Sequence, residues 1–270
     1  MSKIISYTFV CVFSFFATIT LVAPARAELI AYDQFDGYTD GELNGQGQGF
    51  GWAGPWDGST DAIVLSTGNL TNGLLGTYGG GASLGTNTSY GEYAVTRVLE
   101  TAITNAGTYY FGFLIQQTHP GANHNFLRLK DTSGSVWSCA GSWNSLTTWQ
   151  LIRKDPAGPG QSAWDSIGTG VNETEDITHM VIKFELGAAG SGVASLYINP
   201  ANAAALGGSA NATYTYSSPW TEIYSVSALR TTLSGKDGVM AFDEIRLGTE
   251  AADMFDPIFR PPQGTVLIIK

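Results

Sequence analysis

Four tryptophans, Trp137, Trp143, Trp149 and Trp164, fall within 28 residues of one another. An exposed indole can stack on the apolar face of a sugar, and a buried one is ordinary core packing; both uses suit a flat, large side chain. SCAGSWNSLTTW sets Trp143 on a connection, where ligand contacts concentrate. Just upstream, NFLRLKD (125–131) puts Arg128 and Lys130 on one face with Phe126 and turns Leu127 and Leu129 to the other. That pattern gives a basic strip on a sheet, either a ligand contact or a solvated outer face.

The titratable residues offer less. His119 and His124 lie in THPGANHN, a Pro/Gly loop whose spacing matches no metal motif. His179 alternates with Val181 and Lys183, opposite Met180, Ile182 and Phe184, and is expected to be exposed. NETED (172–176) reads as a polar turn, and alternation in FDEI (242–245) places Asp243 and Glu244 on opposite faces. Asp243 then shares a face with Val239, Ala241, Ile245 and Leu247. A carboxylate there must be hydrogen-bonded or bind a cation. GFGWAG (49–54) matches G-x-G-x-x-G, but Gly, Gln and Asn precede it and Pro55 follows, so the strand–helix context of a dinucleotide loop is missing. The longer stretch GQGQGFGWAGPWDGS reads as a connection in which Trp52 and Trp56 plug an edge of the core and glycines permit close backbone approach.

The elements that must carry these residues are strands. Two-residue periodicity marks 28–35, 92–99, 108–117, 125–131, 135–141, 148–154, 177–186, 193–199, 222–232 and 238–248, with weaker signals at 62–66 and 73–79. Turn clusters such as DTSG, GAAGSG and LSGKDG separate them. Only 203–207 and 250–255 suggest helical turns. The expected fold is all-β, an antiparallel two-sheet sandwich with very little helix.

Residues 1–27 have the marks of a signal peptide: Lys3, an apolar run from Tyr7 to Val22, and Ala25-Arg26-Ala27. The expected domain is 28–255, with 256–270 as a tail that could add an edge strand. Its five or so apolar residues are too few to span a membrane. Losing Lys3 and Arg26 leaves 11 of the 13 basic residues against 23 acids, a net charge of −12. Such a chain is a poor partner for nucleic acid. It is expected to be secreted or periplasmic, with no membrane span once the signal is removed. Cys11 leaves with the signal, so Cys139 has no partner within the chain and is expected to be turned inward as a small apolar residue.

Three segments recur in a recognisable order: LIAYDQFDGY…LNGQGQGFGWAGPW, ITHMVIKFELGAAGSGVASLYINP and GVMAFDEIRLGTEAADM. Together they resemble exported bacterial proteins with a concanavalin A-like, laminin-G-like jelly-roll domain, over roughly Glu28 to Phe255. The tail DPIFRPPQGTVLIIK departs from the Pro-Glu-Pro sorting tag that members often carry. The resemblance implies a jelly roll but no single activity, since such domains include lectins, carbohydrate-binding modules, glycosidases, lyases and adhesion modules. It implies a Glu-x-Asp-x-x-Glu strand in glycosidases, and this chain has none. For a lyase it implies a Tyr or His base with a charge neutraliser; His119, His124 and His179, with Arg97, Arg128 and Lys130, are the candidates. It also implies a structural calcium near paired terminal strands, for which Asp33, Asp36 and Asp243 are the oxygen donors. No other cofactor is required. The expectation is a non-enzymatic β-sandwich that binds a polysaccharide, a cell-surface glycan or another surface partner through Trp137, Trp143, Trp149, Trp164, Arg128 and Lys130. The alternatives are a carbohydrate-active enzyme, a lyase before a hydrolase, and a structural module without ligand.

Overall fold

Alternation in the sequence becomes two faces in the structure. In TYYFGFLIQQ, Phe111, Phe113 and Ile115 enter the main core; in NFLRLKD, Leu127 and Leu129 enter it from the opposite side. The computed structural model describes residues 29–58, 62–65, 70–71, 80–84, 91–118, 124–143, 146–158, 165–232 and 239–255. The expected signal peptide, the weak strand at 73–79 and the tail 256–270 lie outside the described residues.

The strands are β1 (Leu29–Asp33), β2 (Gly41–Glu42), β3 (Asp57–Gly58), β4 (Ala62–Leu65), β5 (Gly81–Leu84), β6 (Gly91–Ile103), β7 (Gly107–Gln117) and β8 (His124–Lys130). They continue with β9 (Trp137–Ser142), β10 (Thr148–Lys154), β11 (Asp165–Asn172), β12 (Thr178–Leu186), β13 (Val193–Ile198), β14 (Ala212–Thr215), β15 (Ile223–Thr232) and β16 (Met240–Gly248). Among the described residues they form two antiparallel sheets. One runs β14-β13-β12-β7-β16-β5-β4-β2, with β1 also paired to β16; the other runs β11-β10-β9-β8-β15-β6-β3. The fold is an all-β sandwich of jelly-roll type. No helix among the described residues is long and apolar enough to cross a membrane.

The core lies between the sheets. Met180, Ile182, Phe184 and Phe242 meet Ala140, Trp149, Leu151, Val226 and Ala228. Each of the Val, Leu, Ile, Phe and Met side chains among them contributes about 1.5–3 kcal/mol on burial. The outer face of the nine-stranded sheet is also covered. Two short 3-10 turns, Ala203–Gly207 and Ala251–Met254, form where helical turns are expected. They bring Leu206 and Met254 onto Val181 and Tyr197. This cover corrects the expectation for His179. Its alternation with Val181 is right, but the face is not solvent. His179 is fully buried, with the Phe255 ring edge-on at 5.4 Å. Burial and the Arg246 charge push its pKa down to about 3.

The glycine–tryptophan stretch folds back on β1 and β6. Phe50 pairs with Tyr32, and Trp52 bridges to Leu99. Gly49 and Gly51 have φ of +77° and +80°. A Cβ would lie 2.1 Å from the Tyr32 carbonyl oxygen at Gly49 and 2.0 Å from that of Ile30 at Gly51. Only glycine meets both the backbone angle and the space. The approach seats Trp56 in the core, fully buried, and packs Trp52 partly buried against it.

Candidate functional site

The register of the seven-stranded sheet defines its outer face row by row. One row of directly paired residues is Asp57, Thr96, Ser227, Arg128, Cys139, Ile152 and Ser166, one from each strand. The next is Val98, Ser225, Lys130, Trp137 and Lys154. Neighbours in a row sit about 4.8 Å apart. Phe126, Trp137, Cys139, Ile152 and Leu229 make an apolar floor distinct from the inter-sheet core. Arg128, Lys130 and Lys154 stand half-buried above it. The Arg128 guanidinium lies 5.4 Å from the centre of the Trp137 ring, within cation–π range. Desolvation, and then the neighbouring Arg128 charge, lower the Lys130 pKa. At the β3 end the same face opens into a cavity of about 350 Å³, lined by Ala53, Gly54, Pro55, Asp57, Thr96, Val98 and Tyr224.

The aromatic candidates separate. Trp143 follows β9 directly and is half-buried. It stacks on His124 with ring centres 4.2 Å apart and planes 13° apart. Trp137 belongs to the floor, 2% exposed. Trp149 turns the other way into the inter-sheet core, 1% exposed, and presents no ring to a ligand. The parity of TWQLIRK explains this: Trp149 and Leu151 face inward, Gln150, Ile152 and Lys154 outward. Trp164 and His119 lie outside the described residues. His124 is not a loop residue but the first of β8, and burial lowers its pKa. Cys139 is fully buried as expected, yet it lies on the outer face beneath the strip and not in the inter-sheet core. Burial pushes its thiol pKa well up, which leaves it a poor nucleophile.

Of the three carboxylates considered for calcium, Asp33 and Asp243 are buried and hydrogen-bonded within the protein. Asp33 is fully buried and accepts from Tyr38 Oη at 2.7 Å, Trp56 Nε1 at 3.0 Å and the Phe35 amide at 3.0 Å. It also pairs with Arg97. Arg97 in turn donates to the Gly54 carbonyl at 2.9 Å and the Gln48 carbonyl at 2.7 Å. Its guanidinium is therefore committed to the fold. Asp36 is exposed. Asp243 accepts from the amides of Leu70 at 3.1 Å and Glu244 at 2.7 Å, which is the loop-capping use of a buried carboxylate. Among the described residues no group of three His, Cys, Asp or Glu side chains could hold a metal ion.

Simple alternation also fails at Asp243. Phe242 and Ile245 are both in the main core, so two residues must bulge between them. The register shifts there, and Glu244 takes φ of 52°. Asp243 and Glu244 both leave the core side, and Ile245 and Leu247 do not share the face of Asp243. Glu244 pairs with Arg246 at 2.8 Å and accepts from Tyr32 Oη at 3.0 Å. It is a buried structural ion pair on the covered face.

No family model matches this sequence, and no curated protein matches it. Solved structures do match in fold. One is an endo-beta-1,4-glucuronan lyase from the fungus Trichoderma reesei, with a TM-score of 0.51 and 11% identity, covering 84% of this chain and 98% of that one. Another is the binding domain of botulinum neurotoxin serotype G, also at 0.51, with 9% identity, covering 83% of this chain and 48% of that one. The sandwich is shared with both. At such identities the likeness is one of fold alone.

Two parts of the outer face escaped the sequence reading. Lys154 carries the same signal as Lys130, alternation in TWQLIRK, but only strand pairing shows that both flank Trp137. Asp57 sits in a two-residue strand after a glycine-rich stretch, where no periodicity can be read.

Proposed function

We propose that this protein is an exported, non-enzymatic sandwich that binds an acidic polysaccharide across the outer face of its seven-stranded sheet. The observation that carries this reading is the strip itself. Arg128, Lys130 and Lys154 stand together over Trp137 in a chain with a formal net charge of −10. Concentrating cations on one face of an acidic protein favours a carboxylate-bearing ligand. The half-exposed Trp143 supplies apolar surface for a sugar ring, and the buried floor beneath holds the cations in place. The glucuronan lyase of like fold makes a carbohydrate ligand a natural expectation for such a face.

The second reading is a lyase, favoured by His124 on the same face as Arg128. Four residues along one strand separate them by about 13 Å. That is too far for a base and a charge neutraliser to act on one sugar ring, so binding is preferred. Affinity electrophoresis against acidic and neutral polysaccharides tests the choice. Retention by the acidic polymers, lost in the Arg128→Ala/Lys130→Ala double variant and weakened in Trp143→Ala, is the expected result. The appearance of new unsaturated ends would sink the non-enzymatic reading.

A further inference from the structure

The outer face is not uniformly basic. Following the Arg128 row towards β3, the chain meets Ser227, then Thr96, whose Oγ1 lies 2.9 Å from Ser227 Oγ. The row ends at Asp57, which is exposed. Asp57 lies three strands from Arg128, about 14 Å away. Asp57, Thr96 and Tyr224 share the cavity of about 350 Å³, whose lining among the described residues holds one carboxylate, two hydroxyls and no Lys or Arg. The two ends of one face thus have opposite electrostatic character, separated by more than a Debye length of about 8 Å at physiological salt. Each end acts on the sugar in front of it.

We infer that Asp57 is a specificity residue: this end of the face selects a neutral sugar, so the ligand is a mixed glycan whose uronates are interrupted by neutral residues, not a homopolymer of uronates. The inference rests on the reading of the outer face as a glycan site. A polymer crossing the strands places an acidic residue over Arg128, Lys130 and Lys154. The same polymer places another sugar in the Asp57 cavity. A uronate there meets the Asp57 carboxylate, while the nearby Arg97 is already paired with Asp33, and like charges set against each other discriminate between ligands. A neutral sugar meets Thr96 and Tyr224 hydroxyls and Asp57 as hydrogen-bond partners, with the Val98 and Pro55 side chains as apolar surface.

The test compares unsulfated hyaluronan oligomers, in which glucuronate alternates with a neutral N-acetylhexosamine, with polyglucuronate oligomers of equal length, by calorimetry at low salt. The full chain is expected to prefer hyaluronan by about threefold, the scale of one exposed charge contact. Asp57→Asn should remove that preference, and Asp57→Lys should invert it towards polyglucuronate. Both changes fall on an exposed side chain, and a thermal melt checks that the fold survives. Equal affinity of the unmodified protein for the two polymers, or a ratio unmoved by either substitution, overturns the assignment of Asp57 alone. Retention of neither polymer overturns the glycan reading of the whole face.

Discussion

Two arginines on strands of the same sheet, either side of β15, have opposite fates. Arg97 on β6 is 3% exposed and ties Asp33, Tyr38 and the carbonyls of Gln48 and Gly54 to one point, with Trp52 5.0 Å from its guanidinium. Arg128 on β8 stands half-buried on the outer face, 5.4 Å from Trp137. Both sit beside a tryptophan, so aromatic company alone does not mark a ligand site. The difference lies in what surrounds the charge. Around Arg97 the backbone folds over and a buried carboxylate answers it. Arg128 stands on the outer face in a row next to that of Lys130 and Lys154, above an apolar floor. The first arrangement holds a fold together, and the second suits an anion brought from outside.

The largest effect should come from breaking the inner arrangement. Arg97→Ala leaves Asp33 as a buried charge without its cation, and a loss of about 3–5 kcal/mol is expected in chemical denaturation. Acid should weaken the fold at a different buried group, on the other sheet. The neutral His179, held down at about 3 in the folded state, takes up a proton near 6.5 once unfolded. The unfolded chain therefore binds more protons between these values, and stability present above about pH 6.5 falls as the pH drops towards 3. A melt series in His179→Gln should lose that part of the slope, amounting to a few kcal/mol at most. The smallest effect on stability is expected from Arg128→Ala/Lys130→Ala. Two half-exposed side chains should shift denaturation by about 1 kcal/mol or less, while retention by acidic polysaccharide disappears. If the outer pair proved as costly as Arg97, the contrast between the two arginines would collapse.

Much of the fold was legible because burial follows a period of two. Phe111, Phe113, Leu127 and Leu129 could be assigned to the core from alternation alone, and the plug formed by Trp52 and Trp56 followed from glycine density around them. Alternation is local, however. It cannot say what covers an outer face, so His179 looked exposed until the turn at Ala251–Met254 was seen above it. Nor does it register a bulge, and FDEI hides one between two core residues. The candidate site was half legible for a similar reason. Arg128 and Lys130 share a strand, but Lys154 and Asp57 reach the same face through pairing, which no sequence window contains. Trp149 shows the converse: proximity in sequence to other tryptophans said nothing about which side of the sheet it faced.

The positions of the last two strands have a consequence for how the protein is made. β15 separates β8 from β6, and β16 separates β7 from β5 while also holding β1. The middle of each sheet is therefore supplied by residues 223–248, and neither sheet closes before they have been synthesised. Folding cannot begin in earnest at the N-terminus and spread; it waits for long-range pairings that are entropically costly and slow to form. The consecutive hairpins β8 to β11 and β12 to β14 can form earlier, but a growing chain joins them into complete sheets only when β15 and β16 arrive.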